Sequence, residues 1–272
     1  MSELLTFTNF TLEYKTFGTG KEVLFAFHGF NRNADDFKAL EPSLGKHYKI
    51  VSFNLFFYGK SRIGKPNNHP VHYADLEGLL RTYLDKYQVE RFSLMGYSLG
   101  GRVALSCLEA FPGKVNTLYL FAPDGLKMSR WYSLAMKSLI GQRVYKHIIG
   151  DPSLFFRLAG FLKNKRYITE GLYNFACCHM HTKEKRQQIF DVWMSLRKLV
   201  PDLDKIRKVV RHQDVRVHVI LGKYDSVISA GVGKKFAAGL TDKIKIHVVN
   251  AGHNLITYNM NSFLNDMLDH DR

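Results

Sequence analysis

The sequence predicts an α/β fold: a mostly parallel sheet flanked by helices and interrupted by one long helical insertion. Three observations carry this. Six near-continuous apolar runs read as strands buried on both faces, helical periodicity fills most of the gaps between them, and no such run occurs across residues 126–210.

At the amino terminus, "LLTFTNFTLEYKTFG" (4–18) alternates apolar and polar residues and stops at Gly18-Thr19-Gly20, the pattern of a hairpin or strand pair. The six buried runs follow: "EVLFAFHGF" (22–30), "YKIVSFNLF" (48–56), "RFSLMGY" (91–97), "VNTLYLFAP" (115–123), "VRVHVILG" (215–222) and "IKIHVVNAG" (244–252). Between them, residues 70–87 place Leu76, Leu79, Leu80, Tyr83, Leu84 and Tyr87 at spacings of three and four, with Val71 ahead of them; 99–110 and 253–269 behave in a similar way. Strands alternating with helices imply parallel pairing, with helices on both faces of the sheet.

The insertion reads as about four helices, punctuated by Gly141, Gly150-Asp151-Pro152, Gly171 and Pro201. It holds both tryptophans, Trp131 and Trp193, together with Phe155, Phe156, Phe161, Tyr173, Phe175 and Phe190, which are expected mainly to form its own core. It also holds the charge. Residues 126–211 carry ten Lys and eight Arg against six acids, so +12 of the formal +15 lies there. Such a segment meets something anionic (a carboxylate or phosphate substrate, or a lipid surface) or is a solvated helical face. No nucleic-acid motif accompanies it, so no nucleic-acid partner is expected.

The amino terminus "MSELLTFTNF" has an acid, no base and no apolar run after it, unlike a signal peptide, and no stretch approaches the roughly 20 apolar residues of a membrane-spanning helix. Cys107, Cys177 and Cys178 are too few and too badly spaced for a disulfide framework. The expectation is a cytoplasmic protein.

One motif carries chemistry. In "LMGYSLGG" (94–101) a buried strand runs into Ser98, and "LGGRVALSCLEAF" continues as a helix. A serine hydroxyl is a weak nucleophile unless it reaches a base, and it must stand clear of the sheet edge. A tight strand–serine–helix turn achieves this at the cost of an unfavourable backbone angle. It also crowds the positions two before and two after, where Gly96 and Gly100 stand.

"GYSLGG", preceded by "FHGF" and followed by "LGKYD" and "NAGH", resembles the α/β-hydrolase superfamily over nearly the whole chain. The resemblance implies an order of Ser, acid and His, met by Ser98, Asp225 and His253, with His253 as general base and Asp225 orienting it. Asp124 in "LFAPDG" is the alternative acid, since a minority of the family keep the acid after the preceding strand. The amides of Phe30 and Leu99 would form the oxyanion hole, with His28 shaping the loop. Residues 126–210 fall where the family carries a cap, between core segments 1–125 and 211–272. Two departures stand out: Asp225 lacks the proline that often follows the acid, and "FNLFFYGKS" (53–61) has Asn54 and Phe56 where the family's loop has Asp and Pro. A serine nucleophile excludes the haloalkane dehalogenase and epoxide hydrolase branches, which use Asp.

The expected function is therefore a serine hydrolase that cleaves a carboxylic ester or thioester through an acyl-enzyme, with no cofactor. A C–C bond hydrolase or an acyltransferase would use the same residues. A non-catalytic binding protein of this fold would usually have lost a triad residue. "CCHMH" (177–181) lacks a second ligand pair at a recognisable spacing, so no metal is expected there.

Overall fold

The structure is a computed structural model that describes residues 2–64, 69–127, 132, 136 and 138–270. Trp131 and the Phe175 side chain lie outside what is described. Strands β1 (Ser2–Phe7) and β2 (Phe10–Phe17) form the expected hairpin, and the six apolar runs become β3 (Glu22–Phe27), β4 (Tyr48–Phe53), β6 (Phe92–Tyr97), β7 (Val115–Phe121), β8 (Arg216–Gly222) and β9 (Ile244–Val249). The sheet order is β1-β2-β4-β3-β6-β7-β8-β9. It is antiparallel from β1 to β4 and parallel from there on. A two-residue strand, β5 (Arg62–Ile63), pairs with β2 and is too short to register as a hydrophobic run.

Continuous apolar runs are explained by what lies on each face. Val23, Phe25 and Phe27 of β3 join one core cluster, and Leu24 and Ala26 join the other. On the first face pack α2 (Tyr73–Tyr87) and α3 (Leu99–Ala110); on the second pack the 3-10 helix Ala34–Leu40, α1 (Glu41–Leu44) and the carboxy-terminal helix α10 (Met260–His270). Helix α2 turns Leu76, Leu79, Leu80, Tyr83 and Leu84 to the sheet; its first turn is closed by the Asp75 carboxylate, which accepts from the His72 amide at 2.8 Å. Strand β9 departs from the expected burial. It is the sheet edge, and Val248 is left exposed. The last helix begins at Met260 rather than near residue 253, which leaves His253 on a loop.

Between β7 and β8 there is no strand among the described residues. Helices α4 (Leu139–Gly150), α5 (Ser153–Asn164), α6 (Glu170–Met180), α7 (Lys183–Ser195) and α8 (Leu203–His212) fill the interval. Four of them start at a side chain that accepts from first-turn amides: Ser138, Thr169, Thr182 and Asp202. Tyr132, Met136, Tyr145, Ile149, Met180, Ile189, Phe190 and Met194 make a third core cluster belonging to this insertion, with Trp193 packed on it, as expected for most of its aromatics. Phe161 departs from that expectation and stands in solvent. Helix α8 packs instead on the sheet core through Ile206 and Val210. Helix α9 (Val232–Ala237), short and Lys-rich, lies between β8 and β9.

Candidate active site

The parallel strands end together, and the loops after β3, β6, β8 and β9 carry Phe30, Ser98, Asp225 and His253. This is the carboxyl edge, where open α/β sheets place their ligands.

Ser98 has φ 50° and ψ −117°, a conformation that side chains rarely adopt. It is held because the turn around it cannot relax. The Ser98 amide donates to Phe121 O at 2.9 Å, and the Ser98 carbonyl accepts from Gly101 and Asp124 amides, each at 2.8 Å. The flanking glycines are required by contact with main chain: a Cβ on Gly96 would lie 2.5 Å from Gly100 O, and one on Gly100 would lie 1.9 Å from Phe27 O. These distances give the cause of the crowding that the glycine spacing implies.

Asp225 and His253 reach Ser98 because their loops are bonded to each other. The Lys223 amide donates to Val249 O at 2.9 Å and the Tyr224 amide to Ala251 O at 3.0 Å. Gly222 allows the approach, since a Cβ there would sit 2.3 Å from Gly252 O. As a result His253 Nδ1 lies 2.8 Å from Asp225 Oδ2, and His253 Nε2 lies 3.1 Å from Ser98 Oγ. The other Asp225 oxygen, Oδ1, accepts from the Val227 and Ile228 amides at 2.7 and 2.9 Å. Burial pushes the Asp225 carboxyl up, but the His253 hydrogen bond and charge and the two amides outweigh it, so its pKa ends below the usual carboxylate value.

Asp124 stands elsewhere. Its carboxylate pairs with the buried Arg102 guanidinium, which also lies over the Tyr132 ring, 4.3 Å from its centroid. The imidazole of His253 therefore meets Asp225, and Asp124 is occupied as a counter-ion.

Phe30 and Leu99 flank the serine. Leu99 is the first residue of α3, so its amide is one that a helix leaves without an intrahelical acceptor. The 28–30 loop is brought alongside by the register Phe27↔Gly96, and a Cβ on Gly29 would be 3.2 Å from Ser98 Cβ. The loop is anchored by His28, which is wholly buried: Nε2 accepts from the Leu55 amide at 3.0 Å, so Nδ1 carries the hydrogen and donates to Gly29 O at 2.7 Å.

That burial, helped by the Arg32 charge, pushes His28 down from 6.5 to about 4. The unfolded chain takes up this proton below about pH 6.5, whereas the folded chain stays neutral until about pH 4. The stabilisation is complete above the higher value and is lost as pH falls through the window, by about 1.4 kcal/mol per pH unit. His28→Gln, which keeps a donor and an acceptor but does not titrate, should flatten the decline in urea-unfolding stability across this window. A slope equal to that of wild type would contradict the assignment.

Several residues of the site were not found from sequence. Tyr97 donates to His253 O at 3.1 Å and lies beside the imidazole, with ring centroids 5.5 Å apart. The Tyr58 hydroxyl accepts from the Asn31 amide at 2.9 Å, pinning the loop after Phe30. Asn54, the departure from the family loop, is buried: its amide donates to Glu13 Oε2 at 2.8 Å and its oxygen accepts from the Ala34 amide at 2.7 Å. An aspartate there would set two carboxylates against each other, so Glu13 on β2 explains the asparagine. Tyr97, one residue before the candidate nucleophile, was the one with a signal to follow.

Over these loops lies α6. A Cβ on Gly171, near its start, would fall 2.4 Å from Ser226 Oγ, beside Asp225, while His179 near its end packs 5.2 Å from the Phe30 ring. Among the described residues no group of three or more His, Cys, Asp or Glu side chains is placed to hold a metal ion, and no helix is long and apolar enough to cross a membrane.

Comparison with known proteins agrees with the architecture. Residues 22–143 match the family described as alpha/beta hydrolase fold. The chain is 23% identical over 237 residues to an uncharacterized hydrolase, YugF, of Bacillus subtilis, covering 86% of this chain and 84% of that protein. It is 21% identical over 259 residues to 2-hydroxy-6-oxononadienedioate/2-hydroxy-6-oxononatrienedioate hydrolase 1 of Pseudomonas putida, covering 89% and 85%. Two further curated relatives are longer, and the match spans only 45% and 49% of them. A thermophilic esterase of Thermogutta terrifontis superposes with a TM-score of 0.68 at 15% identity, covering 100% of this chain and 98% of that one. The strand order, the serine turn and the structural likeness together give this chain the α/β-hydrolase fold, the family whose model its residues 22–143 match.

Proposed function

We propose that this protein is a serine hydrolase that cleaves a carboxylic ester or thioester through an acyl-enzyme. The observation that carries the reading is the unbroken hydrogen-bonded line from Asp225 through His253 to Ser98. In this mechanism Ser98 Oγ attacks the acyl carbon while His253 Nε2 takes its proton. The tetrahedral oxyanion is held by the amides of Phe30 and Leu99, worth several kcal/mol in such sites. His253 then gives the proton to the leaving alcohol or thiol, and a water activated in the same way releases the acid. Asp225 keeps the imidazole hydrogen on Nδ1 and stabilises the imidazolium. Residues 126–210 act as the cap that covers the substrate, with α6 nearest the site. The free thiols of Cys107, Cys177 and Cys178 fit a reducing compartment, which we take to be the cytoplasm.

A C–C bond hydrolase is the second reading, favoured by the Pseudomonas putida relative, whose name is that of a 2-hydroxy-6-oxo-dienedioate hydrolase. A panel of p-nitrophenyl esters and coenzyme A thioesters of rising chain length, set beside a 2-hydroxy-6-oxo-dienoate, separates the two. The first reading expects ester or thioester turnover about 1,000-fold or more above Ser98→Ala. Turnover of the dienoate alone would transfer the assignment to C–C cleavage.

A further inference from the structure

Helix α5 has a face that nothing among the described residues covers. Leu154, Leu158 and Phe161, at spacings of four and three, form one stripe along it and are 56, 53 and 53% exposed. Tyr167, just beyond, is 77% exposed, and on the neighbouring α4 Ile140 and Val144 are 74 and 49% exposed. The opposite side of α5 is the one in use: Ala159 is buried, and Phe155 and Phe156 pack on the insertion's own cluster. Across residues 139–167 six Lys or Arg stand against one acid, Asp151. One of the six, Lys163, is paired with Glu170 at 3.0 Å.

We propose that this face of α5, with the adjoining part of α4, docks the protein on an anionic lipid surface. The helix would lie in the headgroup plane with Leu154, Leu158 and Phe161 inserted. An apolar stripe flanked by long cationic side chains fits that boundary, because the stems of Arg157, Lys165 and Arg166 lie along the acyl region while their charges reach the phosphates. The charge argues against a second copy as the occupant, since it would bring one basic face against another. Docking here would place the lipid surface one helix layer from Ser98, because α5 packs on α6, which touches both the Ser226 and Phe30 loops. The inference stands on this surface and does not depend on the hydrolase reading.

The test is flotation of the full chain with vesicles of phosphatidylcholine alone and of phosphatidylcholine mixed with phosphatidylglycerol. Wild type should float with the mixed vesicles, less as salt is raised, and should stay behind with the neutral ones. The double variant Leu158→Ser with Phe161→Ser should partition at least about tenfold more weakly at an unchanged melting temperature. Arg157→Gln, Lys165→Gln and Arg166→Gln together should weaken binding without touching the apolar stripe, an independent arm should the first variant misfold. Ser98→Ala should bind like wild type, so a failed hydrolase reading leaves this one intact. Wild type left behind by the mixed vesicles would overturn the proposal, as would equal partition of the double variant. So would a wild-type dimer in sedimentation velocity that the double variant turns into monomers, because a second copy would then cover the face.

Discussion

Asp225→Asn is expected to lower kcat by about 10,000-fold, while Asp124→Asn stays within about tenfold of wild type. The geometry makes the first loss specific. Asp225 Oδ1 receives the Val227 and Ile228 amides, so the side-chain oxygen of an asparagine would be held at that position. Its NH2 group would then face His253 Nδ1 and force that nitrogen to accept. The imidazole hydrogen would move to Nε2, which could no longer take the Ser98 proton. Asp124→Asn acts through stability instead. It leaves the Arg102 guanidinium, whose side chain is only 3% exposed, without its counter-charge. Removing one partner of such a pair costs about 3 kcal/mol, read as a lower urea midpoint. Steady-state kinetics and urea unfolding of both variants check the pair of outcomes. A larger rate loss at Asp124 would reverse the assignment of the acid.

Gly100→Ala is expected to disrupt the serine turn itself. The new methyl would lie 1.9 Å from Phe27 O and 2.4 Å from Phe27 C, both main chain of the central strand β3, so α3 must move off the sheet end. The cost is about 3 kcal/mol, or a thermal midpoint lower by roughly 10 °C, with turnover lost from whatever remains folded. Gly160→Ala on α5 is the matched control. Among the described residues, no atom beyond its chain neighbours and its own helix backbone lies within 4 Å of its Cβ position, and alanine in a helix is better than glycine by about 0.5–1 kcal/mol. Thermal unfolding of the two variants should therefore move in opposite directions. An unchanged midpoint for Gly100→Ala would show that the close approach is not needed.

Much of the framework was legible because it rests on local patterns. Strands buried on both faces have to be apolar throughout, so β3, β4, β6, β7 and β8 announce themselves, and the crowding around Ser98 demands glycines at fixed offsets. The order of Ser98, Asp225 and His253 followed from resemblance, and the loops that carry them do meet. What stayed hidden depends on contacts between distant residues. Glu13 and Asn54 are 41 positions apart and meet only when β2 and β4 pair, so Asn54 read as a bare departure. Asp124 reads as a rival to Asp225 because its ion-pair partner, Arg102 on α3, lies 22 positions earlier in the chain. The stripe on α5 has the period of a core face, and periodicity cannot say that no other described element covers it.

The central claim is that Ser98 is the activated nucleophile. Incubating the folded protein with a fluorophosphonate and mapping the adduct by peptide mass spectrometry tests it most directly. The account predicts one covalent adduct, on the peptide containing Ser98, absent from Ser98→Ala and much slower to form in His253→Ala. Folded wild type that stays unlabelled, or an adduct on a different side chain, would contradict it.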